Sequence, residues 1–567
     1  RPGVDRQAWH GVSSLSRVQR GSGADPLQYT RPGMVQYPFY LGKRIACGFH
    51  FIFRVFPFFG TGYASGFQGF SLPILSYLIL SPPVHQPSEP PSGAFLLSSA
   101  LAARGIEAPF FDLSLEFFHY ALEKSGVNTA PAIRYMTAPP GGAYTAHQHA
   151  SHSGVIMAAL KRYIGGFPGW RLTPMDCVPP GGLHRPGKLP VTNTPFTGFY
   201  EEILGPMLNR FSTETVLVSV AYLSQLPAAV ELSRFLKRAG RKHICGGSLP
   251  ESLSRTGTGL SLLKESLRSV STGDGSELFP STPNGVLDQL AYPELLSERV
   301  YLSPAPVLPL TFTIGCIWNR CLFCPDREKP LRQVPASAAE RMIEEAPRGS
   351  MIHFIDSTMP VERVSGILPV LRDRNARFFG FARATGEFLG EGLLNAWADA
   401  GCAMLQWGLE SGSQDILKRF GKGINLETAK RVLKESAALG IRNYVYLLFG
   451  LPGESWADRK MTLELVRSSG ADMDFLNTSV FNLPVDCELS RNHRDFRMEL
   501  GAYDEGEDVI RLYRPFTCCG ANPREEAKAF LRNTFDTDPA AAVLAAATPR
   551  WFRAAHMAFM KRRRGDE

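Results

Sequence analysis

At 567 residues, 44% hydrophobic and 20% charged, the chain is too long for one ordinary core and too apolar for general disorder; length alone suggests about two to four domains. The formal charge of +8 is spread thinly and gathers at the ends, in the acid-poor stretch 1–54 and in Lys561-Arg562-Arg563-Arg564, which reads as a solvated tail rather than a nucleic-acid site. Ten cysteines, most of them without regular spacing, exclude a disulfide scaffold and fit a reducing cytoplasm.

Residues 1–74 mix glycine, serine, arginine and aromatics without a sustained period and are expected to be a disordered leader or a mis-set start. Within them, 47–59 is apolar, but His50 and Arg54 interrupt it; it is too short to span a bilayer and too deep for a secretion signal. Regular structure is expected from the strand Tyr77-Leu-Ile-Leu-Ser81, through the Pro-rich loop 82–92, to a helix over 93–103 and a strand at Ala108-Pro-Phe-Phe-Asp112. The Gly-, Pro- and His-rich stretch 131–206 reads as an insertion or lid, with His147, His149 and His152 solvated on a loop rather than ligating a metal.

Thr215-Val-Leu-Val-Ser-Val-Ala221 then gives a buried strand, 227–238 a helix with Pro227 in its first turn, and His243-Ile-Cys-Gly-Gly247 a strand running into glycines. Ser269-Val-Ser-Thr-Gly-Asp-Gly275 reads as a further strand before a helix from Ser276. This alternation argues for an α/β, Rossmann-like doubly wound sheet over 75–300.

A second alternating series occupies 301–481, with strands expected at 308–314, 351–355, 377–382, 402–408, 444–449 and 475–481. The helix over 426–439 is the clearest: Asn425 caps it, Leu426, Ala429, Val432 and Leu433 share a face, and Gly440 stops it. Six strands with helices between them suggest a partial (β/α)6 barrel, whose chemistry belongs beyond the strands' C-terminal ends. Residues 482–567 are expected to form a small, mostly helical C-terminal cap, in which the adjacent thiols Cys518 and Cys519 are incidental.

Directly after the first barrel strand comes Cys316-Ile-Trp-Asn-Arg-Cys321-Leu-Phe-Cys324. A structural zinc site wants four ligands, commonly in two separated pairs, and no fourth Cys or His lies within the following loop. The spacing therefore favours iron–sulfur ligation by three thiolates, with one iron left open. This loop resembles the Cys-x3-Cys-x2-Cys of the radical S-adenosylmethionine (SAM) superfamily, with Phe323 in the aromatic position before the last cysteine and one extra residue between the first two. Gly408-Leu-Glu-Ser-Gly-Ser-Gln414 and Leu448-Phe-Gly-Leu-Pro-Gly-Glu454 resemble two further motifs of that family, at the ends of the fourth and fifth strands.

The resemblance implies a 4Fe-4S cluster on Cys316, Cys321 and Cys324, chelated by SAM and cleaving it to a 5'-deoxyadenosyl radical. It further implies Asp356 near the methionine amine, Arg383 at the methionine carboxylate, Glu410 and Ser411 at the ribose or amine, and Gly450, Gly453 and Glu454 near the adenine. The region ahead of the barrel resembles the cobalamin-binding domain of many such enzymes, at Ser224-Gln225, Gly246-Gly247 and Gly273-Asp-Gly275, but lacks the Asp-x-His-x-x-Gly that supplies an axial histidine in some cobalamin proteins.

The expectation is cobalamin-dependent methylation of an unactivated carbon in a small molecule or peptide, with electrons from a flavodoxin or ferredoxin and with neither nucleic acid nor membrane as partner. The alternatives are radical rearrangement, cyclisation or oxidation without methyl transfer, and a non-catalytic iron–sulfur sensor. No residue declares the substrate.

Overall fold

The computed structural model describes residues 74–560 apart from 139–144, 186–188, 190–192, 258, 268, 274, 276–285, 391, 502–508 and 552–555. The expected leader up to 73, the start of the helix from Ser276 and the basic run 561–564 lie outside the described residues.

The front sheet has four parallel strands, β1 (Ile74–Ser81), β2 (Phe110–Asp112), β3 (Ser212–Ser219) and β4 (His243–Gly246), in the order β2-β1-β3-β4. Both faces are covered, which is why β1 and β3 read as continuous apolar runs. In β1, Leu78 and Leu80 enter one core while Ile79 enters another; in β3, Val216 and Val218 oppose Leu217 in the same way. Helix α1 (Ser92–Ala102) follows β1, and α2 (Leu113–Lys124) follows β2, its first amides capped by Asp112. The strand expected at 269–275 shrinks to a single bridge, Cys245 with Val270. Its serines, threonine and glycines give a sheet edge little to bury.

The insertion corrects the sequence reading. Its described residues are largely helical, and α3 (Ala146–Ile164) carries all three histidines. Thr145 caps α3, and Ile156, Ala159, Leu160 and Ile164 bury its apolar face. His149 is itself buried, edge-on to Phe559 at 5.5 Å, and burial pushes its pKa down to about 4. His152 stacks on Tyr135 at 4.3 Å. These rings are packing groups, and their helical setting was hidden by Gly-rich flanks. Between α4 (Leu226–Arg238) and β3, Gln225 fixes the turn.

The second sheet is an uninterrupted parallel series: β5 (Val307–Leu310), β6 (Met351–Phe354), β7 (Arg377–Ala382), β8 (Cys402–Glu410), β9 (Arg442–Phe449) and β10 (Phe475–Val480), each beside its neighbour in the chain. Leu308, Leu310, Ile352, Phe354 and Phe378 face a large outer core with the helices. Val307, Met351, Phe379, Met404, Tyr444 and Phe475 face the concave side, where Met557 and Met560 plug the strands' N-terminal end. A cup closed at the bottom therefore opens towards the strands' C-terminal ends, where the cysteine loop lies.

Beyond 482 the chain is less helical than expected. Leu483–Pro484 pairs with Tyr513–Arg514, and Met498–Leu500 with Phe516–Cys518, before the helices Pro523–Phe530 and Pro539–Ala547 begin. Alternating Phe516 and Cys518, both buried, supply the strand pattern that a helical reading misses. No helix among the described residues is long and apolar enough to cross a membrane.

Candidate functional site

Asp356, at the end of β6, sets the entry to the cysteine loop. Its buried carboxylate accepts hydrogen bonds from the Phe312 and Thr313 amides, at 3.1 and 2.7 Å, and from the Thr313 hydroxyl at 2.6 Å. Burial raises its pKa against these bonds. The carboxylate thus ties two strand ends together, and this accounts for its presence without a ligand.

The loop beyond is locked by residues the motif did not single out. Asn319, between Cys316 and Cys321, takes a left-handed conformation, φ 51°; asparagine tolerates that region better than most side chains do. Trp318 donates its indole N–H to the Gly421 carbonyl at 2.9 Å. Gly423 is what admits the ring: with φ 65°, a Cβ there would stand 2.0 Å from Trp318 Cζ2. Arg383, at the end of β7, lies 3.7 Å over the same indole and donates to the carbonyls of Lys422 (2.7 Å) and Gly423 (3.1 Å). Glu410, ending β8 at φ 68°, is paired with Lys422 Nζ at 2.8 Å. Cys316, Cys321 and Cys324 are partly exposed in the middle of this frame.

The electrostatics suit thiolates that are charged only when ligated. Burial pushes the Cys324 thiol up to about 12 and raises Cys321, the latter against the pull of Lys422 and Arg383. Burial would lower Lys422, but Glu410 and Cys321 raise it overall, so it stays a cation. Two cations therefore offset the negative charge that three thiolates would bring.

Among the described residues, no three His, Cys, Asp or Glu side chains converge on one point. A lone zinc would demand that, with each sulfur about 2.3 Å from one centre. The three thiols nonetheless feel one another's charge.

Other residues named from the sequence have different surroundings. Phe323 packs edge-on to Phe481 at 6.4 Å. Ser411 is buried against Thr462 Oγ1 at 3.3 Å, while a Cβ on Gly412 would collide with the Met461 carbonyl at 2.4 Å. That motif lets helix α5 (Trp456–Ser469) approach the end of β8. Gly450 (φ 84°) donates its amide to Glu454 Oε2 at 2.6 Å, and Gly453 (φ 73°) lies against Arg419. Glu454 is buried and paired with buried Arg459 at 3.1 Å; burial pushes its pKa up to about 7 against the Gly450 amide and Arg459. The structure therefore spends Ser411 and Glu454 inside the fold.

Two residues along the wall below the thiols came from structure alone. Strand alternation places Gln406 and Tyr446 on the same side as Met404 and Tyr444, and Gln406 Nε2 donates to the Tyr446 hydroxyl at 3.0 Å. The other arm of the Gln406 amide is buried without a partner.

The front-sheet residues lie at a separate edge. Gln225 Oε1 accepts from the Ala221 and Tyr222 amides, while Nε2 donates to the Pro82 carbonyl at 2.7 Å; Ser224 is buried beside it. Gly247 (φ 110°) is required by the Val220 carbonyl, 2.7 Å from where its Cβ would stand. Gly246 has ordinary room, Gly273 is exposed, and Gly275 (φ 90°) abuts Leu97.

Residues 310–466 match the model of the Radical SAM superfamily, from the end of β5 into α5. The chain carries a radical SAM domain. A Pyrococcus horikoshii protein, "Uncharacterized methyltransferase PH0819", is 24% identical over 177 residues, 29% of this chain and 37% of that relative. The matched part is thus little more than a third of the relative's length. Among solved structures, that of the radical S-adenosylmethionine methyltransferase TsrM from Kitasatospora setae, with cobalamin and a 4Fe-4S cluster bound, is similar at TM-score 0.46 and 14% identity over 81% of this chain and 85% of that one. The cobalamin-dependent S-adenosylmethionine radical enzyme OxsB with aqua-cobalamin bound is similar at TM-score 0.34 and 15% identity, over 75% of this chain and 56% of that one.

Proposed function

We propose that this chain is a radical SAM enzyme in which Cys316, Cys321 and Cys324 hold a 4Fe-4S cluster, SAM completes the fourth iron, and a cobalamin at the front sheet serves methyl transfer to an unactivated carbon. The observation that carries the reading is the placing of three uncrosslinked thiols, Arg383 and the Lys422–Glu410 pair at the open mouth of the parallel strand series, inside the radical SAM domain. When bound, the cluster supplies an electron to SAM and the cobalamin supplies a methyl group.

The chain's own residues do the positioning. Trp318, Gly423 and Asp356 hold the thiol loop in one shape. Arg383 and Lys422 balance its charge, Arg383 also by a hydrogen bond to Cys321, and a guanidinium suits a carboxylate. Gln406 and Tyr446 give the cup a polar wall for a small molecule or peptide side chain. The name of the Pyrococcus horikoshii relative favours methyl transfer over rearrangement. A flavodoxin- or ferredoxin-type protein would supply electrons, in the reducing cytoplasm that the free cysteines suit.

Anaerobic reconstitution with iron, sulfide, SAM and dithionite should release 5'-deoxyadenosine from wild type and none from Cys316→Ala. Equal silence of both would overturn the enzymatic reading. Retention of added hydroxocobalamin through gel filtration tests the cobalamin half separately.

A further inference from the structure

Cys518 and Cys519 have a setting that their spacing alone does not show. Cys518 ends the strand Phe516–Cys518, which pairs with Met498–Leu500. The chain then reverses within two residues: the Cys518 amide donates to the Ala521 carbonyl at 2.9 Å, and the Ala521 amide donates to the Cys518 carbonyl at 3.0 Å. Cys519 (φ 53°) and Gly520 (φ 76°) are both left-handed, as the central pair of a type I′ hairpin turn must be. The first of those positions favours asparagine or glycine, and another side chain is held there at a cost. Strain of this kind, at a residue that the turn does not call for, points to a role for the side chain.

Among the described residues Cys519 is the one cysteine that is exposed, while Cys177, Cys245, Cys402 and Cys487 are buried. Cys518 is buried behind it, and the two sulfurs are in hydrogen-bond contact. The Cys518 thiol donates to the Phe496 carbonyl at 3.4 Å and accepts from the Gly453 amide. Burial and the neighbouring Cys519 raise this thiol, against the pull of Arg419 and the Gly453 amide, so it stays protonated at neutral pH. An accessible thiol backed by a second one is the arrangement of a reversibly oxidised pair, because the second traps a sulfenic acid before it is oxidised further. Adjacent α-carbons are about 3.8 Å apart, below the roughly 4.4 Å at which ordinary disulfides begin. A bond between these sulfurs would therefore be strained and readily reduced.

Gly453 gives the pair something to act on. It stands at φ 73° in the loop after β9, with Arg419 Nη1 2.6 Å from where a Cβ would be. Turning the Cys518 sulfur onto Cys519 takes the acceptor away from the Gly453 amide.

We infer that Cys518 and Cys519 are a peroxide-responsive dithiol whose closure releases the Gly453 amide. Hydrogen peroxide oxidises the Cys519 thiol to sulfenic acid and is itself reduced to water. The Cys518 sulfur then attacks the Cys519 sulfur, its proton leaves with the hydroxyl as a second water, and one S–S bond replaces two S–H bonds. A thiol reductant reverses the closure through a mixed disulfide. No step uses the three loop thiols, so the dithiol stands or falls apart from the cofactor reading.

The test takes full-length protein, reduced, desalted and titrated with hydrogen peroxide, then denatured in N-ethylmaleimide, digested and weighed by mass spectrometry. In wild type the peptide holding both cysteines should lose two hydrogen atoms and take no maleimide, and dithiothreitol should restore two maleimide sites. In Cys518→Ser, Cys519 should stop at the sulfenic acid and be captured by dimedone; in Cys519→Ser, Cys518 should still take maleimide. Two free thiols in peroxide-treated wild type, or a disulfide from Cys519 to a distant cysteine, would overturn the pair. Deuterium exchange over 450–454 should quicken when wild type is oxidised and stay unchanged in Cys519→Ser. Unchanged exchange in wild type that carries the disulfide would overturn the link to Gly453.

Discussion

Gly423→Ala separates a loop shaped by its own cysteines from one shaped by Trp318. The new Cβ would sit 2.0 Å from the indole, inside any van der Waals contact, at a φ of 65°. Left-handed backbone at a non-glycine residue costs roughly 1–2 kcal/mol. Expelling the indole gives up its bond to the Gly421 carbonyl, about 1 kcal/mol, and the Arg383 stack, about 0.5–2 kcal/mol. Together these amount to roughly 3–5 kcal/mol against the ligating shape, or on the order of 100-fold or more in its population. Gly349→Ala is the control: its φ is 78°, but nothing lies within 4 Å of the new Cβ, so it bears the backbone cost alone. Iron and sulfide per chain after anaerobic reconstitution are expected to collapse in Gly423→Ala and to stay at the wild-type level in Gly349→Ala. Wild-type iron and sulfide in Gly423→Ala would refute the idea that Trp318 sets the loop.

Arg459→Leu removes the buried partner of Glu454 and should cost about 3–5 kcal/mol in urea unfolding. Adding Glu454→Gln should recover much of that loss; no recovery would mean that the arginine's packing, not its charge, is what matters. Asp112 provides a pH prediction, because burial pushes its pKa up to about 7 despite the Tyr301 hydroxyl and two capping amides. The native state then holds the proton more tightly than the unfolded chain, so the group's contribution is intact below about pH 3.8 and falls as pH rises towards 7, by a few kcal/mol at most. Asp112→Asn keeps the cap and removes the titration, and it should therefore gain stability relative to wild type between pH 5 and pH 8. A constant difference across that range would contradict the sign.

The sequence disclosed most of the strands because their signal is local. Each strand of the second sheet is an apolar run between helices, and all six lie within a few residues of where the pattern puts them. The thiols were legible for the same reason, three of a kind within nine positions. What stayed hidden depends on close approach between distant segments. Gly423 and Trp318 are a hundred residues apart, and only the structure reveals that one exists to admit the other. The same holds for Glu454: a motif string placed it near a cofactor, but its carboxylate turns back to the Gly450 amide and Arg459. Spacing cannot tell a glycine that makes room for a ligand from one that makes room for a helix, as Gly412 and Gly450 do here.

Helix α1 illustrates the longest-range case and leads to a last test. Its periodicity fits a helix covering the front sheet, yet Ala94, Phe95 and Leu96 share one core with Leu308 and Leu310 of β5 and with Ala338 and Met342 of Ala336–Glu345. Phe95 is 1% exposed and meets Tyr292 edge-on at 6.4 Å. One helix thus belongs to both sheets, and a shared apolar core resists the relative movement expected of two bodies joined by a polar interface. The Glu89–His353 pair at 2.8 Å crosses the same boundary. Phe95→Ala should cost about 3–5 kcal/mol. It should leave iron and sulfide per folded chain near the wild-type level, since Trp318 and Asp356 brace the thiol loop without α1. Loss of iron from folded protein would mean that the thiol loop depends on α1, and an unchanged unfolding free energy would mean that the two sheets hold together without it.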